Sequence, residues 1–194
     1  MDAGTGTAAP PTRAALHEAA LRYLARYAAT EAGLRRVLER RIRRWARVAA
    51  EGTTSDDVAD RAAAAREAAR QVVARLVELG VVDDAAYAQT RAGRLRREGQ
   101  SRRAAFADLR RRGVPTETAR AALPGDPELE LGAALALARR RRIGPFRSAP
   151  ADREARLRER GVLARAGFGE ATARQALGMT MDEAEARLAR LRGI

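Results

Sequence analysis

The chain has no cysteine, no lysine and a single histidine. Without thiols it forms no disulfide, offers no cysteine nucleophile and builds no thiolate zinc site. Without lysine it has no Schiff base, no P-loop lysine and no kinase-type phosphate clamp. His17 lies in the first predicted helix and reads as a solvated residue, since one histidine without cysteine makes no familiar zinc site. Ser55, Ser101 and Ser148 fall at helix starts or in a linker, with no histidine to serve as base. Aromatics are 4% of the residues, so a core must be made of Ala, Leu and Val, which pack helices closely. No apolar run is long enough to cross a bilayer. The opening MDAGTGTAAPPT lacks the basic start and apolar segment of a secretory signal. Nothing resembles a long coiled-coil seam. These absences predict a cytoplasmic, monomeric, all-α protein without metal or cofactor, and not an enzyme.

What the chain does have is arginine. All 38 basic residues are arginines, and the net charge is +13 over 194 residues. Using one basic residue throughout reads as a coding bias, so no arginine is a chosen phosphate fork on that ground alone. The charge itself predicts attraction to polyanions.

The stretch from Gly80 to Leu123 organises the rest and reads as three short helices. The first follows Asp83 and Asp84, which cap its N-terminal amides, and carries Tyr87, Ala88, Ala92 and Leu95 at helical spacing until Gly99. The second starts at an N-cap Ser101, turns Ala105, Phe106 and Leu109 inward, and ends at Gly113. The third opens at Val114-Pro115, carries Ala119, Ala122 and Leu123, and stops at Pro124-Gly125. Shifted by 54 positions, Leu109, Gly113, Val114, Ala119, Arg120, Ala122 and Leu123 become Leu163, Gly167, Phe168, Ala173, Arg174, Ala176 and Leu177. Neither unit buries its apolar face alone, so the prediction is tandem three-helix repeats stacked into an elongated, curved helical array.

In chain order, residues 1–12 form a disordered tail and 13–79 an enlarged first repeat. In that repeat Leu16, Ala20, Leu24 and Tyr27 share one side of the first helix. Thr30 caps a second helix, in which Leu34, Leu38, Ile42 and Trp45 line up while Arg35, Arg36, Arg40, Arg43 and Arg44 cover the rest. Ser55-Asp56-Asp57 starts a long helix that buries Val72, Val73, Leu76 and Leu79. The second repeat spans 80–123 and the third 126–178. The third opens with Asp126 as N-cap and Pro127 at the first helical position, presents Ala133, Ala134, Leu137 and Ala138, and ends its first helix in Arg139, Arg140, Arg141 and Arg142. Gly144 to Pro150 is a linker, Asp152 caps the next helix, and Glu170 to Leu177 is another. A helix within 180–194 is appended, with Ala184, Leu188 and Leu191 inward.

Asp56-Asp57 and Asp83-Asp84 point in different directions on a helix, which suits capping and not a catalytic pair. Arg91 is placed to reach back to a carboxylate of Asp83-Asp84. Trp45 and Tyr87 sit at helical spacing with Leu and Ala and read as core. The candidate partner or DNA contacts are Arg96, Arg97, Arg102, Arg103, Arg110, Arg111, Arg112 and Arg139 to Arg142. They recur near helix ends, where stacking would gather them into a basic strip that binds phosphates without reading sequence. A helix-turn-helix reading of Phe106 to Leu123 would put Glu117 to Ala122 in a major groove, but apart from Arg120 those side chains are short or acidic.

The run Gly80-Val81-Val82-Asp83-Asp84, followed by Tyr87-Ala88, Gly99, Leu109 and Gly113-Val114, resembles the central signature of the RecX family of recombination regulators. Ala20 to Arg41 looks like that family's first helical pair, and Leu163 to Leu177 like its closing repeat. The resemblance implies three tandem three-helix repeats. It also implies a non-enzymatic regulator that lodges in the groove of the RecA recombinase filament and suppresses ATP hydrolysis and strand exchange. Asp83, Asp84, Tyr87, Gly99 and Gly113 carry over as fold-defining positions. The chain departs from the pattern at Arg41-Ile42, in the extra residues Arg43 to Thr54, in the Pro145 to Pro150 segment and after Met179. The alternative is a nonspecific DNA-binding helical protein, with single- or double-stranded DNA itself as the target. A scaffold for other proteins would explain the repeats but leaves the positive charge without a purpose.

Overall fold

The computed structural model describes residues 9–51 and 54–192, so most of the expected tail and the side chain of Leu191 lie outside the described residues. Those residues are helical and contain no strand. The helices are α1 (Arg13–Leu24), α2 (Glu31–Ala49), α3 (Ser55–Glu78), α4 (Asp84–Arg97), α5 (Arg102–Arg112), α6 (Thr116–Ala121), α7 (Pro127–Arg141), α8 (Arg153–Arg165), α9 (Glu170–Gly178) and α10 (Met181–Arg192). The chain divides into two compact units, the first running through Tyr87 and the second starting at Ala88.

In the first unit α3 packs against both α1 and α2. Leu16 and Ala20, Leu34, Leu38 and Ile42, and Val72, Val73 and Leu76 form the core, with Trp45 partly buried against it. Thr12 and Thr30 accept hydrogen bonds from the amides of Ala15 and Gly33, fixing the starts of α1 and α2. Three expectations need correction. α1 ends at Leu24, so Tyr27 lies beyond the helical period and is exposed, its ring 5.2 Å from that of Tyr23. α3 ends before the left-handed Gly80, so Leu79 turns out to solvent, and Val82, whose N–H bonds to Leu76 O, fills the core instead. Asp56 and Asp57 lie inside the first turn of α3 behind the N-cap residue Thr54, where their charge meets the positive end of the helix dipole.

Asp83 and Asp84 divide the capping between two helices. The Asp83 carboxylate accepts from the amides of Ala85 and Ala86 and caps α4. The Asp84 carboxylate turns away and accepts from the Glu31 amide at the first turn of α2, 2.8 Å distant. Burial raises the Asp84 carboxyl above its ordinary value, partly offset by that amide. Asp84→Ala should therefore cost about 1 kcal/mol, while Asp84→Asn keeps an acceptor and restores most of it. The shift of the urea midpoint in the two variants is the check.

In the second unit α7 is buried nearly all round, through Leu131, Ala133, Ala134, Leu135, Leu137 and Ala138. A helix apolar on every side is a central one. α8, α9 and α10 surround it with Leu163, Phe168, Ala173, Ala176, Ala184 and Leu188. The turn of the internal repeat recurs with the same hydrogen bonds. Val114 N–H bonds to Leu109 O and Phe168 N–H to Leu163 O, each at 3.1 Å, across left-handed Gly113 and Gly167. Ala119 N–H to Pro115 O and Ala173 N–H to Gly169 O then open the following helices, each at 2.9 Å. The stretch Gly144 to Pro150 is no simple linker. Its first residues form a 3₁₀ turn, Gly144–Phe146, with Phe146 against the core, and Arg147 makes a two-pronged ion pair with the buried Glu159 of α8.

Candidate partner-binding surfaces

Seven of the eleven predicted arginines are engaged within the molecule. Several serve the fold, because the last carbonyls of a helix lack intrahelical donors and attract cations. Arg96 donates to Ala122 O at 2.9 Å and Arg102 to Leu123 O at 2.7 Å, so both close the C-terminus of α6. Arg110 donates to Val114 O, and Arg140 to Glu98 O at 2.6 Å, which brings the last turns of α4 and α7 together. Arg139 pairs with Glu185 of α10 at 3.4 Å.

Arg111 and Arg112 are held by a residue that sequence reasoning passed over. Asp108 is buried and receives Arg91 of α4 at 2.9 Å, Arg111 at 2.7 Å and Arg112 at 3.0 Å. Arg91 therefore reaches forward to α5, not back to Asp83-Asp84. Burial works to raise the Asp108 carboxyl, but the hydrogen bonds and charges of Arg91 and Arg112 outweigh it and hold it below its ordinary value.

The remaining predicted cations, Arg97, Arg103, Arg141 and Arg142, are exposed, and none of their side chains forms a hydrogen bond or ion pair among the described residues. Arg142 has φ 54° at the C-cap of α7, the conformation that glycine adopts at the matching turns 80, 99, 113 and 167. An L-residue held there is strained by about 1–2 kcal/mol.

Arg102 and Arg103 also line a cleft of about 620 Å³ with Arg120, Phe106, Leu123, Gly125, Asp126, Pro127, Glu130, Gly167 and Thr172. Phe106 is therefore half-exposed on the cleft wall and not in the core as its spacing suggested. Ser101 anchors this region, accepting from Ala104 N–H at 3.2 Å and donating to Ala166 O at 2.7 Å. Glu130 accepts the Arg102 amide at 2.9 Å, and burial raises its carboxyl despite that bond. Among the described residues no cluster of His, Asp and Glu could hold a metal ion, and no helix is long and apolar enough to cross a membrane.

Comparison with known proteins gives these surfaces a context. Residues 83–123 match the family model described as RecX, second three-helix domain. The chain is 42% identical over 165 residues to the regulatory protein RecX of Myxococcus xanthus, covering 84% of this chain and 83% of that one. It is 36% identical over 104 residues to the regulatory protein RecX of Agrobacterium fabrum, covering 54% and 55% of the two chains. A crystal structure of RecX from Lactobacillus salivarius shares the fold at 15% identity, with a TM-score of 0.55 over 92% of this chain and 97% of that one. The cap pair Asp83-Asp84, the turns at Gly99 and Gly113 and the hub at Asp108 all lie within the matched segment, and by its kinship across most of its length the chain belongs to the RecX family of regulatory proteins.

Proposed function

We propose that this protein regulates homologous recombination by lodging in the groove of the RecA filament, bridging neighbouring recombinase subunits and suppressing ATP hydrolysis and strand exchange. The observation that carries the reading is the 42% identity, over 84% of the chain, to a protein named as a RecX regulator. Its partner is the RecA filament, it acts as a cytoplasmic monomer, and it needs no cofactor or catalytic residue of its own. Arg97, Arg103, Arg141 and Arg142 have charge to spare for an acidic filament surface, whereas Arg96, Arg102, Arg110, Arg111, Arg112 and Arg140 are spent on carbonyls and on Asp108.

This division changes which variants are informative. Charge reversal at Arg110, Arg111 and Arg112 would disturb the Asp108 hub and confuse folding with binding. Reversal at Arg103, Arg141 and Arg142 leaves the internal pairs intact. The triple Arg→Glu variant should raise the concentration needed for half-maximal binding to sedimented RecA filaments by about tenfold at moderate salt, with a smaller change in affinity for bare DNA. Equal losses in the two assays would make DNA the target and refute the filament contact.

A further inference from the structure

A further run of arginines lies within the first unit, on α2. This 19-residue helix carries seven arginines against two glutamates. Both glutamates are already held. Glu31 pairs with Arg35, and Glu39 pairs with Arg43 at 3.1 Å and with Arg66 of α3 at 3.2 Å. Arg40, Arg44 and Arg47 are exposed, and no carboxylate among the described residues pairs with them. Their spacing of four and three residues puts them in one row along the helix, on the side opposite Leu34, Leu38 and Ile42. At the helical rise, neighbours in the row are about 4.5–6 Å apart along the axis. Arg41 flanks the row and is also exposed without an ion-pair partner among the described residues.

A row of like charges along one face repels itself, and nothing in the fold draws on these three. The core needs only the opposite side of α2, and the first turn and the α3 contact are served by Arg35, Arg43 and Arg66. Val48 is exposed beside the row, but the row holds no aromatic or large aliphatic anchor of the kind that dominates protein–protein contacts. What it offers is evenly spaced guanidinium groups, each able to take two oxygens of one anion. That matches a polymer whose charges are themselves evenly spaced.

We infer that the outer face of α2, through Arg40, Arg44 and Arg47, is a binding surface for the phosphodiester backbone of nucleic acid, independent of base sequence. The surface draws on none of the arginines assigned to the filament, and its failure would leave that assignment untouched.

The test uses the full chain carrying Arg40→Ala, Arg44→Ala and Arg47→Ala, substitutions that favour the helix and touch no internal pair. A control with the same change in net charge carries Arg22→Ala, Arg61→Ala and Arg158→Ala. These three arginines come from exposed ion pairs on three different helices. Binding of a fluorescein-labelled oligothymidylate is followed by anisotropy across a salt series, then repeated with a random-sequence duplex, and circular dichroism checks the fold. For single strands the α2 variant should lose affinity roughly a hundredfold at about 0.1 M salt, with the log–log salt slope shallower by about 2, the counterion-release value for three phosphate contacts. The control should change severalfold less. Equal losses in the two variants would mean that only net charge matters and would overturn the proposal. So would unchanged DNA affinity with weakened binding to RecA filaments, which would reassign the row to a protein partner.

Discussion

Alanine at position 99 should lower the free energy of unfolding by roughly 2–5 kcal/mol. Two costs combine. Gly99 has φ +75°, where an L-residue with a Cβ is strained by about 1–2 kcal/mol. A Cβ built there would also lie 2.6 Å from the backbone nitrogen of Leu137 and 2.9 Å from its Cα. Those atoms belong to the central helix α7 and have no rotamer through which to yield, so the end of α4 must move instead, at a further cost of about 1–3 kcal/mol. Gly80 separates the two terms. It has φ +67° with nothing within 4 Å, so Gly80→Ala carries the conformational cost alone. Urea unfolding of both variants should show Gly99→Ala losing clearly more than Gly80→Ala. Equal losses would mean that the approach of α4 to α7 is looser than described.

Asp108→Ala should follow, at roughly 2–4 kcal/mol. The cost is less the loss of three ion pairs than the Arg91 guanidinium left largely buried without its carboxylate. Arg111 and Arg112 are more exposed and return to water cheaply. Asp108→Asn keeps an acceptor and should recover part of the loss. The pH dependence gives a second readout. The Asp108 carboxyl is lowered in the folded state, so its stabilisation is complete above the ordinary carboxylate value, near 4, and is lost as pH falls through the lower folded value. Glu130 and Asp84, both raised by burial, work in the opposite sense. Their carboxylates cost stability near neutrality, and that cost is relieved as pH falls through their folded values. In acid titrations the wild type should lose a component of stability that Asp108→Asn never had.

What could be read in the sequence were the features that depend on neighbours along the chain. Helix starts at Thr30, Ser101, Asp126 and Asp152 followed from cap residues, and the 54-residue recurrence followed from spacing; the hydrogen bonds repeat it. What escaped were pairings across helices. Asp108 lies three positions after Ala105 and directly before Leu109, on the buried side of α5, yet the arginines that follow it read as partner contacts on a basic strip. Glu159 lies four positions before Leu163, and only the return of the chain at Arg147 supplies its partner. A carboxylate at a core-facing position next to an arginine run was the available signal in both cases. The arginine clusters themselves were found, but which guanidinium turns inward to close a neighbouring helix is decided by tertiary approach. Thus Arg96 and Arg102, alike in sequence to Arg97 and Arg103, are fixed on Ala122 and Leu123.

The most direct test of the filament reading is the ATPase of RecA on single-stranded DNA, titrated with this protein while its binding to bare DNA is measured in the same buffer. Inhibition at protein well below the recombinase concentration, before the DNA is appreciably bound, is the predicted result. Inhibition only once the protein saturates the DNA, or none at all, would contradict it.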